Sequence, residues 1–168
     1  MSKEEPVYNG IPINLFLDGR PCLVVGGGKV ALHKIQLLLD AGANVTVVSP
    51  ECCEDLGTLV KQGRVTHTCR RFEEGDIEGI SLVYASTNSR GANRQILECC
   101  RKQHILCCCV DGNWAEGDFI TPAITRHNQL TLSVSSGGND CRQSKMVKNS
   151  LSRHLKMMES AQIGRAHV

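Results

Sequence analysis

LVVGGGKVA, residues 23–31, is the stretch that decides the fold. The apolar run PCLVV (21–25) ends directly in three glycines, which is typical of a buried parallel strand entering a tight turn. A helical pattern follows and is closed by Gly42, and NVTVVS (44–49) is then a second β-branched strand. The predicted inner face of this helix consists of Val30, Ala31, Ile35, Leu37, Leu38 and Leu39. The order strand, glycine turn, helix, strand predicts a βαβ unit.

The rest of the chain continues this alternation and then changes. VTHTC (65–69), SLVYAS (81–86) and ILCCCV (105–110) are predicted strands, and residues 92–103 are a predicted helix. After Asp111 the pattern gives two short strands, FITPAIT and LTLSVSS, and a helix over 140–158 with a basic face. We therefore expect an α/β fold: a Rossmann-type doubly wound parallel sheet over 1–112, followed by a small α+β unit over 113–162.

Composition excludes several classes of protein. The chain has 168 residues, 41% of them hydrophobic but only 4% aromatic, so its core must be aliphatic. A net charge of +2 is too near neutral to indicate nucleic acid as the main partner. No apolar run approaches the ~20 residues that a membrane span needs. The first residues carry no apolar signal segment, so we expect a cytoplasmic protein.

The chain contains ten cysteines, which could be read as disulfides, metal ligands or small apolar residues. A disulfide scaffold is unexpected without an export signal, and no Cys-x-x-Cys pair occurs. Adjacent cysteines on a strand point to opposite faces, so 107–109 cannot all reach one metal. No histidine pair has tight ligand spacing either. We predict reduced thiols that act as small hydrophobic residues, and no metal site.

The glycine turn itself predicts a ligand. Gly26, Gly28 and Ala31 fit the pattern G-x-G-x-x-A between a strand and a helix, which is typical of dinucleotide binding. Gly26 would permit the tight turn, Gly28 would let backbone approach a pyrophosphate, and Ala31 would allow close helix packing. The alternative is a plain tight turn. Ser49, at the end of the second strand, is a candidate for a ribose hydroxyl, and the lack of an arginine there favours NAD over NADP.

Four segments of the chain resemble one known protein family. GRPCLVVGGGKVALHKIQLLLDAGANVTVVSP (19–50) resembles the opening of the precorrin-2 dehydrogenase family, the N-terminal module of siroheme synthase. Three further segments agree in order and spacing. They are AST (85–87) with Asn93 in the next helix, VDGNWAEGDFITPA (110–123) and LTLSVSSGG (130–138). Together they cover about residues 11–155.

The resemblance implies NAD-dependent oxidation of precorrin-2 to sirohydrochlorin by a homodimer. In many members of the family the same cleft also inserts ferrous iron as a second substrate. The implied cofactor contacts are Gly26, Gly27, Gly28, Lys29, Val30, Ala31, Ser49, Pro50, Ser86 and Thr87. The implied contacts with the tetrapyrrole are Ser135, Ser136, Gly137, Gly138, Arg142 and Lys145. The alternatives are that the serine–glycine segment is only a turn and that the two cations lie on a solvated face or at a dimer rim.

Asp111 is the candidate catalytic residue, acting as a proton acceptor. It follows the strand ILCCCV, and open α/β sheets bind ligands at the carboxyl ends of their strands. The resemblance places the family's catalytic aspartate at this position. The alternative is a turn aspartate, since Asp-Gly is a common turn pair.

Two other classes of function remain open. One is a non-catalytic, nucleotide-sensing Rossmann module that regulates a partner, and the other is a chelatase without dehydrogenase activity. The sequence IGRAHV (163–168) matches a translation of sequencing-adapter DNA, so we expect a non-native tail there. The family continues into a helical region that closes the cleft, and we expect this chain to lack most of it.

Overall fold

The computed structural model describes residues 10–111 and 114–165. Within them, residues Pro12–Phe119 form one compact unit, and a second unit begins at Ile120. The expected boundary at 112/113 lies outside the described residues, as do residues 166–168 of the expected tail. No helix in the described part of the chain has the length and apolar character needed to cross a membrane.

The first unit is a parallel sheet with helices on both faces, which confirms the predicted α/β fold. Its strands are β1 (Pro21–Val25), β2 (Asn44–Val48), β3 (Thr66–Thr68), β4 (Leu82–Ala85) and β5 (Leu106–Cys109), and their spatial order is β3-β2-β1-β4-β5. Every pairing between neighbouring strands is parallel. The chain runs outward from β1 to one edge and then crosses to the other edge, so the strand order reverses between β1 and β4.

Helices α1 (Lys29–Asp40) and α3 (Arg90–Lys102) match the two predicted helices, and α3 begins two residues earlier than expected. Sequence reasoning missed α2 (Glu54–Lys61), a short helix with Gly57 in its middle. Glycine lowers helix propensity by about 1 kcal/mol relative to alanine, which weakens the helical pattern in so short a segment. The first unit also has two 3₁₀ turns, Glu74–Ile77 and Trp114–Glu116.

Strand alternation divides the core into two clusters, one on each face of the sheet. Along β1, Cys22 and Val24 belong to the cluster that contains Ile35 of α1, whereas Leu23 and Val25 belong to the cluster that contains Ile96 of α3. The cysteines of β5 follow the same rule: Cys108 lies in the first cluster, while 107 and 109 lie in the second. The buried cysteines thus pack as small apolar side chains.

The second unit is a two-stranded antiparallel sheet with one long helix. Strands β6 (Ala123–His127) and β7 (Leu130–Val134) pair through a tight turn, in which Asn128 adopts a positive φ of 52°. Helix α4 (Cys141–Arg165) contacts both strands, and the hydroxyls of Thr125 and Ser152 lie 3.3 Å apart.

Candidate functional site

The carboxyl ends of β2, β1, β4 and β5 lie side by side, and backbone hydrogen bonds continue the sheet one residue beyond these strands. Gly26 N–H donates to Val48 O at 2.9 Å, and Ser86 N–H donates to Val25 O at 2.8 Å. Val110 N–H donates to Ala85 O at 2.9 Å. The glycine turn, the segment after β4 and Asp111 are therefore held at one edge of the sheet, where open α/β sheets bind ligands.

The three glycines of the turn have different roles. Gly26 has a φ of 128°, a conformation that other residues rarely adopt, and a Cβ there would overlap the carbonyl oxygen of Ser86. A Cβ on Gly27 would overlap the backbone of the segment after β2, whose Cys53 N–H donates to Gly27 O at 2.8 Å. A Cβ on Gly28 would meet no atom of the described structure within 4 Å. Gly26 and Gly27 thus permit the packing, whereas Gly28 faces open space.

Helix α1 begins at this open space. Gly28 is its N-cap, and no side chain caps the helix. The first backbone N–H groups of a helix lack intrahelical acceptors, and they carry the positive end of the helix dipole. Lys29 and Val30 are exposed on the same first turn, where Val30 keeps 56% of its surface accessible. The turn therefore fits the diphosphate of a dinucleotide, because an anion there would receive hydrogen bonds without displacing any side chain.

One part of the predicted helix face is wrong. Val30 does not join the core, whereas Ala31, Ile35 and Leu38 are buried and Leu32 replaces Val30 on the inner face. Val30 stands on the first turn of α1, and its exposed side chain borders the site.

A cavity of about 410 Å³ lies at this edge of the sheet. Its lining residues are Val30, Ser86, Thr87, Asn88, Arg90, Val110 and Asp111. Four of them, Val30, Ser86, Thr87 and Asp111, were predicted site residues. The hydroxyl oxygen of Ser86 is buried and has no hydrogen-bond partner within the described residues. Buried polar atoms are normally paired, so this oxygen fits a contact with a bound ligand.

Sequence reasoning missed Arg90, the first residue of α3. It considered cations only on α1 and in the second unit. The available signal was its position shortly after Ala85, the last residue of β4, because that position places Arg90 at the same strand edge.

The segment after β2 is tied to β3. The Ser49 side chain is buried, and its hydroxyl donates to Glu51 O at 2.7 Å. His67 Nε2 lies 3.0 Å from Ser49 O and 3.2 Å from Ser49 Oγ. The Cys69 thiol donates to Pro50 O at 3.0 Å. These contacts hold the segment behind the glycine turn, and a ribose contact by Ser49 or Pro50 stays a prediction.

Asp111 is half-buried at the end of β5. The amide Nδ2 of Asn93 donates to its Oδ2 at 2.7 Å, which fixes one carboxylate oxygen against α3. Burial, followed by the charge of Asp111, raises the pKa of the Cys109 thiol, so that thiol stays neutral. A carboxylate that lines a cavity beside a nucleotide turn can accept a proton from a bound molecule.

The remaining predicted residues lie in the second unit, in the turn between β7 and α4 and on the first turns of α4. Gly137 N–H donates to Ser135 Oγ at 3.1 Å, and Asp140 N–H donates to Ser136 Oγ at 2.8 Å. Both glycines of the turn have positive φ, 65° at Gly137 and 89° at Gly138. Arg142 and Lys145 are exposed on α4. The serine hydroxyls thus build the turn, and contacts of these six residues with a substrate stay a prediction.

No group of three or more His, Cys, Asp or Glu side chains within the described residues could hold a metal ion.

Comparisons with known proteins agree with this geometry. A family model described as "Putative NAD(P)-binding" matches residues 13–123. The siroheme synthases of Thioalkalivibrio sulfidiphilus (strain HL-EbGR7) and Methylobacillus flagellatus are each 41% identical to this chain over 128 residues, or 76% of it. Those 128 residues are 26% and 27% of the two relatives, so the chain spans only about a quarter of their length.

A solved structure, "SirC, precorrin-2 dehydrogenase", superposes with a TM-score of 0.74 at 26% identity. The alignment covers 86% of this chain and 71% of that one. The family match spans the whole parallel sheet, the glycine turn and Asp111, so this chain belongs to the putative NAD(P)-binding family.

Proposed function

We propose that this protein oxidises precorrin-2 to sirohydrochlorin with NAD as the oxidant, in the synthesis of siroheme. The observation that carries the proposal is the shared cavity: Asp111 lines the same 410 Å³ space as Val30, on the first turn of α1, and Ser86, which follows β4. A nucleotide-sensing module would need the turn but would have no use for a carboxylate there. The siroheme synthases and the precorrin-2 dehydrogenase similar to this chain support the choice of substrate.

In this proposal, one set of residues binds the cofactor and another residue accepts the proton. Gly28 and the first turn of α1 hold the diphosphate, and the Ser86 hydroxyl supplies a polar contact at the cavity wall. When bound there, NAD supplies the acceptor for the hydride that leaves the substrate. Asp111 takes the proton that leaves with it, so the substrate loses two hydrogen atoms in total.

The chemistry near β2 favours NAD over NADP. A 2′-phosphate is usually met by an arginine close to the end of the second strand. Arg70 follows β3, the strand beside β2, but its guanidinium is hydrogen-bonded to Asp76, with Arg70 Nη1 at 2.8 Å from Asp76 Oδ2.

For the acidic groups of the tetrapyrrole we propose Arg142, Lys145 and the turn from Ser135 to Gly138, because exposed cations and backbone N–H groups attract carboxylates.

The active protein is proposed to be a homodimer in the cytoplasm. The second unit leaves large apolar side chains exposed, among them Leu130 (61%), Met146 (66%) and Leu151 (41%). A two-stranded sheet with one helix is too small to bury such surface by itself, and a second copy would cover it. A reducing compartment suits the ten cysteines.

The test is to incubate the purified protein with precorrin-2 and NAD and to follow both NADH formation and the tetrapyrrole spectrum. We expect NADH and sirohydrochlorin to appear in equal amounts. Ferrous iron is then added, and a further spectral change would indicate iron insertion. NAD binding without any oxidation of precorrin-2 would refute the dehydrogenase and favour the sensing module.

A further inference from the structure

Asn93 is a polar side chain inside the core. It lies on α3 and is 1% exposed, and the other buried residues of that helix are Ile96, Leu97, Cys99 and Cys100. A buried amide has to satisfy two donor hydrogens and an acceptor oxygen, so such a residue is stable only where its partners are built in. Asn93 does not cap α3, because Ser89 Oγ already accepts from Ala92 N–H at the start of that helix.

The side-chain amide of Asn93 forms all of its hydrogen bonds with two residues, Thr87 and Asp111. Its Oδ1 accepts from the N–H of Thr87 at 3.0 Å and from the Thr87 hydroxyl at 2.7 Å. Its Nδ2 donates to Thr87 O at 3.1 Å and to Asp111 Oδ2 at 2.7 Å. The amide cannot be turned over, because its oxygen would then face a carbonyl and a carboxylate.

From this geometry we propose that Asn93 is the positioning residue for Asp111, and that it ties the carboxylate to the Thr87 wall of the cofactor cavity. The inference rests on the proposed function, in which Asp111 accepts a proton. A carboxylate at the end of a strand can rotate about its side-chain bonds, and a charge-assisted hydrogen bond to one oxygen selects one orientation. Because Thr87 and Asp111 both line the cavity, a single amide sets the separation between the cofactor wall and the proton acceptor.

Two variants separate positioning from a purely structural role. Asn93→Ala removes the bond to Asp111, and we expect kcat to fall about 10- to 100-fold at every pH, the usual scale for losing a residue that orients a functional ligand. Asn93→Asp keeps the acceptor for the N–H and hydroxyl of Thr87, loses the donor to Thr87 O, and places a second carboxyl group against Asp111. The diphosphate site on α1 is unchanged in both variants, so we expect kcat to fall by a larger factor than the affinity for NAD.

The pH profile of Asn93→Asp carries the decisive signature. When the two carboxyl groups share one proton, the introduced carboxyl group can donate to Asp111 as the amide does, so activity is retained. When that proton is lost as the pH rises, two negative charges repel each other and Asp111 moves away. We therefore expect the rate of this variant to fall with rising pH, in a range where the wild type is constant. The other ionisable groups nearby, Arg90 and the neutral Cys109 thiol, are the same in both proteins.

Gln95→Glu is the matched control, because it places the same new charge on the exposed face of α3, and it should have the wild-type pH profile. A wild-type profile in Asn93→Asp, or wild-type kcat in Asn93→Ala, would overturn the inference. If Asn93→Asp fails to fold, the Asn93→Ala measurement still decides. A wild-type protein that binds NAD but does not oxidise precorrin-2 would instead refute the proposed function, so the two failures are distinguishable.

Discussion

Replacing Gly28 with aspartate should weaken NAD binding about 100-fold and leave the fold intact. Gly28 has φ −84° and ψ −176°, an extended conformation that any residue adopts. A Cβ there would meet no atom of the described structure within 4 Å. Gly28 is also the N-cap of α1, where aspartate is among the preferred residues. The free energy of unfolding should therefore stay the same or rise by a few tenths of a kcal/mol.

The loss of affinity comes from charge and from competition for donors. At 4 Å, two unit charges repel by about 4 kcal/mol when the effective dielectric constant is about 20. A diphosphate beside α1 would stand about that far from the new carboxylate, which would also accept the helix N–H groups that the diphosphate needs. Allowing for screening by salt, we expect a loss of about 3 kcal/mol, which corresponds to about 100-fold in Kd.

Calorimetric titration with NAD measures the affinity, and thermal unfolding measures the stability. Gly28→Ala is the uncharged control: it should bind NAD more tightly than Gly28→Asp and lose at most about 1 kcal/mol of stability, because alanine is a poorer N-cap than glycine. Gly26→Ala is the opposite case. Its Cβ would overlap Ser86 O in a left-handed conformation, so we expect it to lose about 1–3 kcal/mol of stability. A folded Gly28→Asp protein with wild-type affinity for NAD would refute this reasoning.

Three further predictions concern other parts of the molecule. Asp111→Asn keeps the shape but not the basicity, so precorrin-2 oxidation should fall about 100-fold or more while the Kd for NAD is unchanged; full activity would make Asp111 only a turn former. Light scattering at micromolar concentration should give twice the chain mass, and Met146→Glu should lower that mass, whereas a wild-type monomer would contradict the dimer. The Arg70 guanidinium lowers the pKa of Asp76 through their hydrogen bonds, so this contribution to stability is present above the ordinary aspartate pKa of about 4 and is lost as the pH falls below it. Asp76→Asn should therefore lower the free energy of unfolding, measured with urea, by about 1 kcal/mol at neutral pH and by much less in acid. An equal loss at both pH values would contradict the role of the charge.

The sequence was sufficient for the parts of the fold that depend on local patterns. β-Branched and apolar runs predicted all five parallel strands, and the glycine spacing predicted the turn before α1. Apart from the missed helix α2, the failures concern tertiary packing. Val30 fits the helical period of the inner face, but its side chain is exposed and lines the cavity. The buried hydroxyl of Ser49 also lies 3.2 Å from Nε2 of His67, which β3 brings beside it and which no local pattern reveals.

The candidate site shows the same division between local and tertiary information. Asp111 was predicted because it follows a strand, whereas Ser86 and Thr87 were predicted from the family resemblance. The pairing of Asn93 with Asp111 was not predicted, since the two residues are 18 positions apart in sequence and meet only when α3 packs on β4 and β5. A family pattern shows that an asparagine belongs in that helix, but the contact requires the structure.

The geometry of the site follows from the register of the sheet. β1 pairs with β4 so that Val25 lies opposite Ala85, and β4 pairs with β5 so that Ala85 lies opposite Cys109. These three residues end their strands at the same level, which places the glycine turn, Ser86 and Asp111 on one edge without any long loop. A slip of one residue in the β4–β5 pairing would turn every side chain of β5 to the other face. It would also move Asp111 by about 3.3 Å relative to Ser86 and break its bond to Asn93. Both faces of β5 carry the same residue type, with Cys108 on one and Cys107 and Cys109 on the other, so the backbone pairing with β4, and not the cysteine side chains, places the carboxylate in the cavity.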